Sequence, residues 1–309
     1  MTDTIVTTAE PRVSMYDHFT VMSVDLMYDL EFYEELFGAR VLPRTVGRHR
    51  QVGERPAYIN FSVRAQKKNL PQIIFMRAAG SVWGLFLQPD FPPEPNRMLQ
   101  GARNGMAIPA EKFESALVTL KELDIKFEGP FEHEAESQIV RSVYFKDPSG
   151  NSLELCVERS PNANDAIDHE GKIPFTRLLH LALDVTDLDA AEDLYGNALG
   201  IKIAYRGRTV DGNEKSVLHL ASGQILTLQL VDKVPERLAW KTRGLCHSAF
   251  IIEESAWKQV ESRLVARGVT LLPDPVRREN FRMDEQESVY FRDKDNNVIQ
   301  LHTPKMADA

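Results

Sequence analysis

Val143-Tyr144-Phe145-Lys146-Asp147-Pro148-Ser149-Gly150-Asn151-Ser152-Leu153-Glu154-Leu155 and Val289-Tyr290-Phe291-Arg292-Asp293-Lys294-Asp295-Asn296-Asn297-Val298-Ile299-Gln300-Leu301 are two copies of one pattern. The openings of the two halves repeat as well. His18 precedes Val24-Asp25-Leu26 and Leu36-Phe37-Gly38, and His180 precedes Thr186-Asp187-Leu188 and Leu199-Gly200, with the same His-to-Gly spacing. A repeat this long fixes the architecture before any chemistry is considered.

Working outward, each half reads as two βαβββ-like modules, four in the chain, in an α+β fold. Phe19–Val24 suits a strand. Leu26, Leu30, Tyr33 and Phe37 then form a helical stripe that Gly38 closes. Leu188, Ala191, Tyr195 and Leu199 repeat it before Gly200, and later helices carry Phe113, Leu117 and Leu120, and Trp257, Val260 and Leu264. Strand-like runs lie between them at Tyr58–Val63, Ile73–Met76, Val217–Leu220 and Ile225–Val231. The expected divisions are a tail over 1–14, a first domain over 15–158, a polar linker over 159–174, a second domain over 175–303 and a tail over 304–309. The linker should cross the surface without regular strand pairing.

Composition narrows the function. With 309 residues, 27% charged and 43% hydrophobic, the chain can bury two sizeable cores. A formal charge of −8 argues against nucleic-acid binding, which draws on clustered Lys and Arg. No apolar run approaches membrane-spanning length, and the N-terminus lacks the pattern of a secretory signal. Cys156 and Cys246 are the 2 cysteines and form no Cys-x-x-Cys pair, so a cytoplasmic protein with reduced thiols is expected.

In the strands that follow the two turns, alternation puts Ser152, Glu154 and Cys156 on one face, opposite Leu153, Leu155 and Val157. Val298, Gln300 and His302 likewise oppose Ile299, Leu301 and Thr303. A polar centre to each last strand faces either a cavity or solvent. His133 reads as a loop histidine and His219 as packing. Tyr144 and Tyr290 recur in both hairpins, and a tyrosine near a metal can donate to an oxyanion.

The His-x-x-x-x-x-[Val/Thr]-Asp-Leu opening and the Tyr-Phe-x-Asp-x-x-x-Asn-x-x-[Glu/Gln]-Leu ending resemble the vicinal oxygen chelate superfamily, which includes glyoxalase I, fosfomycin-resistance proteins, bleomycin-binding proteins and type I extradiol dioxygenases. The resemblance runs from about Tyr16 to Thr303 and implies tandem domains of that fold. It also implies a divalent metal: Fe(II) first, with Mn(II), Zn(II) or Ni(II) open. Carried over position by position, it offers His180, His247 and Gln300 as ligands, with Gln229 at the fourth-strand position. The alternative pairing of modules assembles His18, His247, Gln300 and Gln88, and leaves His180, Gln229, Arg103 and Glu154 as a mixed charged site suited to an anion.

Tyr290 and His302 are the candidate catalytic groups. Gln300 stands where a carboxylate is usual, and Arg103 stands where a second histidine would be; Arg cannot ligate a metal. By length and division the chain is most similar to an extradiol-type dioxygenase acting on a catechol-like aromatic. The alternatives are a glyoxalase-type lyase or isomerase, or a metal-free protein that sequesters an aromatic or drug-like ligand. A small-molecule substrate and a homo-oligomeric state are expected, with no nucleic-acid or membrane partner.

Overall fold

The structure is a computed structural model that describes residues 13–42, 73–87, 101–162, 165–234, 246–273 and 288–303. The expected strand Tyr58–Val63 and the candidate Gln88 lie outside these residues.

The strands form two eight-stranded mixed sheets. In chain order they are β1 (Val13–Ser23), β2 (Arg40–Val41), β3 (Ile73–Ala78), β4 (Ser81–Leu87), β5 (Arg103–Ala107), β6 (Phe127–Glu132), β7 (Ile139–Lys146), β8 (Ser152–Glu158), β9 (Arg177–Val185), β10 (Lys202–Arg208), β11 (Glu214–His219), β12 (Ile225–Leu230), β13 (Ser248–Ile252), β14 (Leu272–Pro273), β15 (Ser288–Arg292) and β16 (Val298–His302). Sheet I runs β14-β15-β16-β13-β1-β4-β3-β2, and sheet II runs β10-β11-β12-β9-β5-β8-β7-β6. Each sheet therefore joins one module from the first half to one from the second. At each central seam the two first strands pair antiparallel: β1 with β13, and β5 with β9.

The predicted stripes are the packing faces. In helix α1 (Leu26–Phe37), Leu30, Tyr33 and Phe37 are buried, Asp25 caps the first turn and Gly38 closes the last with φ 65°. α2 (Phe113–Glu122), α3 (Leu188–Glu192, continued by a π turn over Asp193–Ala198) and α4 (Trp257–Ala266) bury their stripes the same way. Trp83 of β4 is fully buried, with its ring centroid 5.4–5.8 Å from those of Phe19, Tyr33, Phe37 and Phe175. Leu153 and Leu155 of β8, and Ile299 and Leu301 of β16, belong to this same core, which leaves Glu154 and Gln300 on the opposite faces.

The sheets cross the halves, yet the hairpin turns tie each half to itself. Tyr33 Oη donates to Asp147 Oδ2 at 2.9 Å, and Asn151 Nδ2 donates to Met22 O at 2.6 Å. In the second copy Tyr195 Oη donates to Asp293 Oδ2 at 2.8 Å, and Asn297 Nδ2 to Asp184 O at 3.1 Å. The repeated Asp and Asn of the two turns are thus fasteners between a half's last hairpin and its first strand and helix. Among the described residues of 159–174, the strand-type pairing is the isolated bridge Asp168↔Phe175. Lys172 and Ile173 bond the end of α1, however, and Ile173 is fully buried, so this segment is packed at one end rather than wholly superficial.

Candidate functional site

β1 and β9 each carry a bulge immediately before the histidine: the register skips Asp17 in one and Leu179 in the other. His18 then pairs with Ala249, and His180 with Gly105. Two residues earlier on the partner strands stand His247 and Arg103, which are therefore equivalent. Ala249 pairs in turn with Gln300, and Gly105 with Glu154. The two sheets thus carry the same site frame with different side chains.

The first site lies on sheet I. His18 Nε2 and His247 Nε2 are 3.3 Å apart, and both residues are buried. Each ring is held from behind. His18 Nδ1 is 2.6 Å from Asp17 Oδ2, and His247 Nδ1 is 3.1 Å from Thr20 Oγ1. Burial opposes ionisation of Asp17, but bonding to His18 and then to His302 outweighs it and holds the carboxyl well below its usual range. An ionised carboxylate only accepts, so His18 Nδ1 carries a proton, and in the neutral ring Nε2 is then an acceptor. The Thr20 hydroxyl reaches His247 O at 3.4 Å, which suits an Nδ1–H of His247 donating to Thr20 Oγ1, with Nε2 turned toward His18.

Two acceptor nitrogens at this distance repel unless a cation lies between them. Ligand nitrogens ~2.0–2.1 Å from one ion stand roughly 3–3.4 Å apart. Gln300 is buried; its Nε2 donates to Ser288 Oγ at 2.8 Å, and its Oε1 has no hydrogen-bond partner among the described residues. A buried amide oxygen of this kind is a ready third donor, so the residues present fit a divalent metal. His302 is fully buried, with Nε2 3.3 Å from Asp17 Oδ2; it lies behind the histidine pair and not at a mouth. The Tyr290 ring packs edge-on to His247 at 5.1 Å.

The second site lies on sheet II. Glu154 is wholly buried, with Oε2 2.7 Å from His180 Nδ1 and 3.6 Å from Arg103 Nε. Burial raises its pKa, but His180 and then Arg103 outweigh burial and bring it to about 2. His180 Nε2 is 2.9 Å from Thr227 Oγ1, and the Arg103 guanidinium carbon stands 4.7 Å from the centroid of Tyr144. His133 Nε2 is 2.6 Å from Ser142 Oγ, so this residue is a wall of the site rather than a solvated loop histidine.

These positions correct the first-choice ligand set. His180 lies in sheet II and His247 in sheet I, so His180, His247 and Gln300 are not assembled. Of the alternative set, His18 and His247 are brought together, and Gln300 stands in register with them through Ala249. Register also shows that the residue of β4 equivalent to Gln229 is Phe86, since Met22 pairs with Phe86 as Asp184 pairs with Gln229. Phe86 packs edge-on to His247 at 6.1 Å, so sheet I presents a ring at the position where sheet II presents an amide. Sequence reasoning missed Asp17, Thr20 and Ser288. Only Asp17 carried a signal, as a carboxylate directly before the repeated histidine where the second copy has Leu179.

With this fold and these two sites described, the class is defined: the chain belongs to the glyoxalase/bleomycin resistance protein/dioxygenase superfamily, whose model matches residues 16–155 and 177–301. A putative dioxygenase from Bacillus subtilis has a similar fold, with a TM-score of 0.66 at 16% identity, covering 96% of this chain and 86% of its own. Glyoxalase I from Zea mays is similar at a TM-score of 0.60 and 16% identity, covering 95% and 92%. The metallothiol transferase FosB of Shouchella clausii is 27% identical over 129 residues, 42% of this chain and 81% of that protein.

Proposed function

We propose that the first site holds a divalent metal through His18, His247 and Gln300, and that the chain is a metal-dependent enzyme acting on a small substrate with two adjacent oxygens. The observation that carries this reading is the 3.3 Å approach of two imidazole nitrogens whose opposite nitrogens are engaged by Asp17 and Thr20. A metal bound there would supply Lewis acidity to a chelating substrate. Asp17 and Thr20 fix the ring orientations, as carboxylate and hydroxyl partners do behind metal-binding histidines. His302 supports Asp17. Tyr290 offers a phenol to an oxyanion at the site.

Gln300 decides between chemistries. A ligand set of two imidazoles and an amide carries no negative charge, so it leaves the charge of the metal for an anionic substrate. That favours a lyase or isomerase of the glyoxalase kind. The second reading is an Fe(II) extradiol-type dioxygenase of aromatic catabolism, acting on a catechol-like ring; such oxygenases use two histidines and a carboxylate. Asp17, His18 and His302 do place potential ligand atoms within 4.8 Å of one another, but as a separate two-histidine, one-carboxylate cluster on the Nδ1 side of His18, away from His247.

We further propose a cytoplasmic, homo-oligomeric protein with no nucleic-acid or membrane partner. Cys156 and Cys246 are not joined in a disulfide, and no helix among the described residues is long and apolar enough to cross a membrane.

Metal titration with Fe(II), Mn(II), Zn(II) and Ni(II) tests the centre. We expect one ion per chain, lost in His247→Ala and His18→Ala and retained in His180→Ala. Oxygen uptake with a catechol would select the second reading, whereas turnover without oxygen supports the first. Absence of binding by all four metals would leave a metal-free binding module.

A further inference from the structure

We infer that Thr227, His180 and Glu154 form a nucleophilic triad on sheet II that works without metal and cleaves small, uncharged carboxylic esters. The three side chains make one hydrogen-bonded line: Glu154 Oε2 is 2.7 Å from His180 Nδ1, and His180 Nε2 is 2.9 Å from Thr227 Oγ1. All three residues are buried. The ionised Glu154 carboxylate only accepts, so His180 Nδ1 carries a proton, and in the neutral ring Nε2 then accepts from the Thr227 hydroxyl. Orienting carboxylate, imidazole base and hydroxyl thus stand in the order that nucleophilic catalysis requires.

The frame is altered to make this line. Gly105 pairs with both His180 and Glu154, and a Cβ there would stand 2.8 Å from His180 Cβ and 3.3 Å from Glu154 Oε2. The first site has Ala249 at the equivalent position. The hydroxyl has also changed strands. Ala182 pairs with Thr227 as Thr20 pairs with Gly84, so sheet I carries its threonine on β1 and sheet II on β12. Thr227 and His180 line one cleft, whose apolar wall is Ile139, Tyr205, Val217 and Ile225 and suits a short acyl chain. The cations of that cleft, Arg103 and Lys215, face Glu154 and Glu134 at 3.6 and 3.0 Å, which suits a substrate without charge.

In the step itself Thr227 Oγ1 bonds to the ester carbonyl carbon while His180 Nε2 takes the hydroxyl proton. The bond from that carbon to the alcohol oxygen breaks, and the proton passes to the departing alcohol. Water, deprotonated by the same imidazole, then releases the acid and restores Thr227. Incubating the full chain with p-nitrophenyl acetate, and mapping the acetyl group by peptide mass spectrometry, tests the inference. We expect a nitrophenol burst approaching one per chain and an adduct on Thr227, both the same with and without EDTA. The acylation rate should fall at least tenfold in Thr227→Val and His180→Gln and survive in Thr227→Ser. Glu154 positions the imidazole, so Glu154→Gln should lower that rate with the half-saturating ester concentration changed by about twofold or less. If Thr227→Val does not fold, the adduct position and the His180→Gln rate decide. An adduct on another residue, no burst in the unmodified chain, loss of the burst with EDTA, or acylation of His180→Gln at the unmodified rate would overturn the triad and leave a structural hydrogen-bond chain. Because the burst is read without metal, failure here is separate from failure of the metal centre.

Discussion

The two sheets hold one frame and two chemistries, and the difference is concentrated at linked positions. In sheet I the bulge residue is Asp17, and the residue two beyond the last-strand site position is His302; they stand 3.3 Å apart behind His18. In sheet II the equivalent residues are Leu179 and Cys156, both members of one small apolar cluster behind His180. The first pair polarises its histidine from behind. The second leaves Nδ1 of its histidine to Glu154 in the site itself. A buried polar pair costs desolvation that an apolar pair does not, and the metal centre proposed at His18 would account for Asp17 and His302 standing in one copy only.

That comparison is most directly broken at Asp17. Asp17→Asn keeps shape and removes charge, and it should lower metal affinity by roughly 10–100-fold, the usual loss for a carboxylate behind a ligating histidine. Leu179→Ala, its counterpart, should cost stability but leave metal affinity unchanged. Competition with a chromophoric chelator measures both. Equal affinities in the Asp17 variant and the unmodified chain would separate Asp17 from the metal.

Gln300→Glu sharpens the same comparison, because it gives the first site the carboxylate that the second has in Glu154. Metal affinity should rise by about tenfold, since a charged ligand at ~4 Å or less adds of order 1 kcal/mol or more to attraction for a cation. If Gln300 is not a ligand, the new carboxylate is an unpaired buried charge, and the protein loses stability with no gain in affinity. Titration and thermal unfolding together tell these apart.

The fold was legible because it rests on repeated apolar spacing and on turn residues whose backbone demands are local: the stripes ending at Phe37 and Leu199, Gly38, and the Asp and Asn of the two hairpins. Which modules share a sheet was not legible. Both pairings place equivalent strands side by side, and the choice is made by long-range contacts such as β1 with β13 that leave no mark on spacing. His180 therefore lies in the other sheet from His247, while His247 belonged to either set. Gln88 lies outside the described residues, and the register places Phe86 at the position equivalent to Gln229. Thr20 and Ser288 carried no signal, since small hydroxyls in strands are common and only geometry gives these two their partners.

The smallest expected effect is on acid stability, and it too divides by site. Glu154 has its folded pKa lowered to about 2 from an ordinary value of 4.5. A depressed carboxyl stabilises the fold above its unfolded pKa, and that contribution is lost as pH falls from about 4.5 toward 2. Asp147, in the turn tied to Tyr33, moves the other way: burial, then repulsion from Asp29, raises it from 3.8 to about 7. Its folded form holds the proton more tightly, so its contribution is fully present below about 3.8 and lost as pH rises through about 7. Between pH 8 and 5 the chain should therefore gain stability through Asp147, while Glu154 contributes a constant amount. Below about pH 4.5 the Glu154 contribution declines. Denaturant unfolding of the unmodified chain and of Glu154→Gln across this range checks the sign. The destabilisation caused by Glu154→Gln should be largest near neutrality, where it breaks the contact with His180, and should shrink steadily as pH falls toward 2. A penalty constant with pH would mean that Glu154 contributes packing alone and that its charge is not what holds His180 and Arg103 in place.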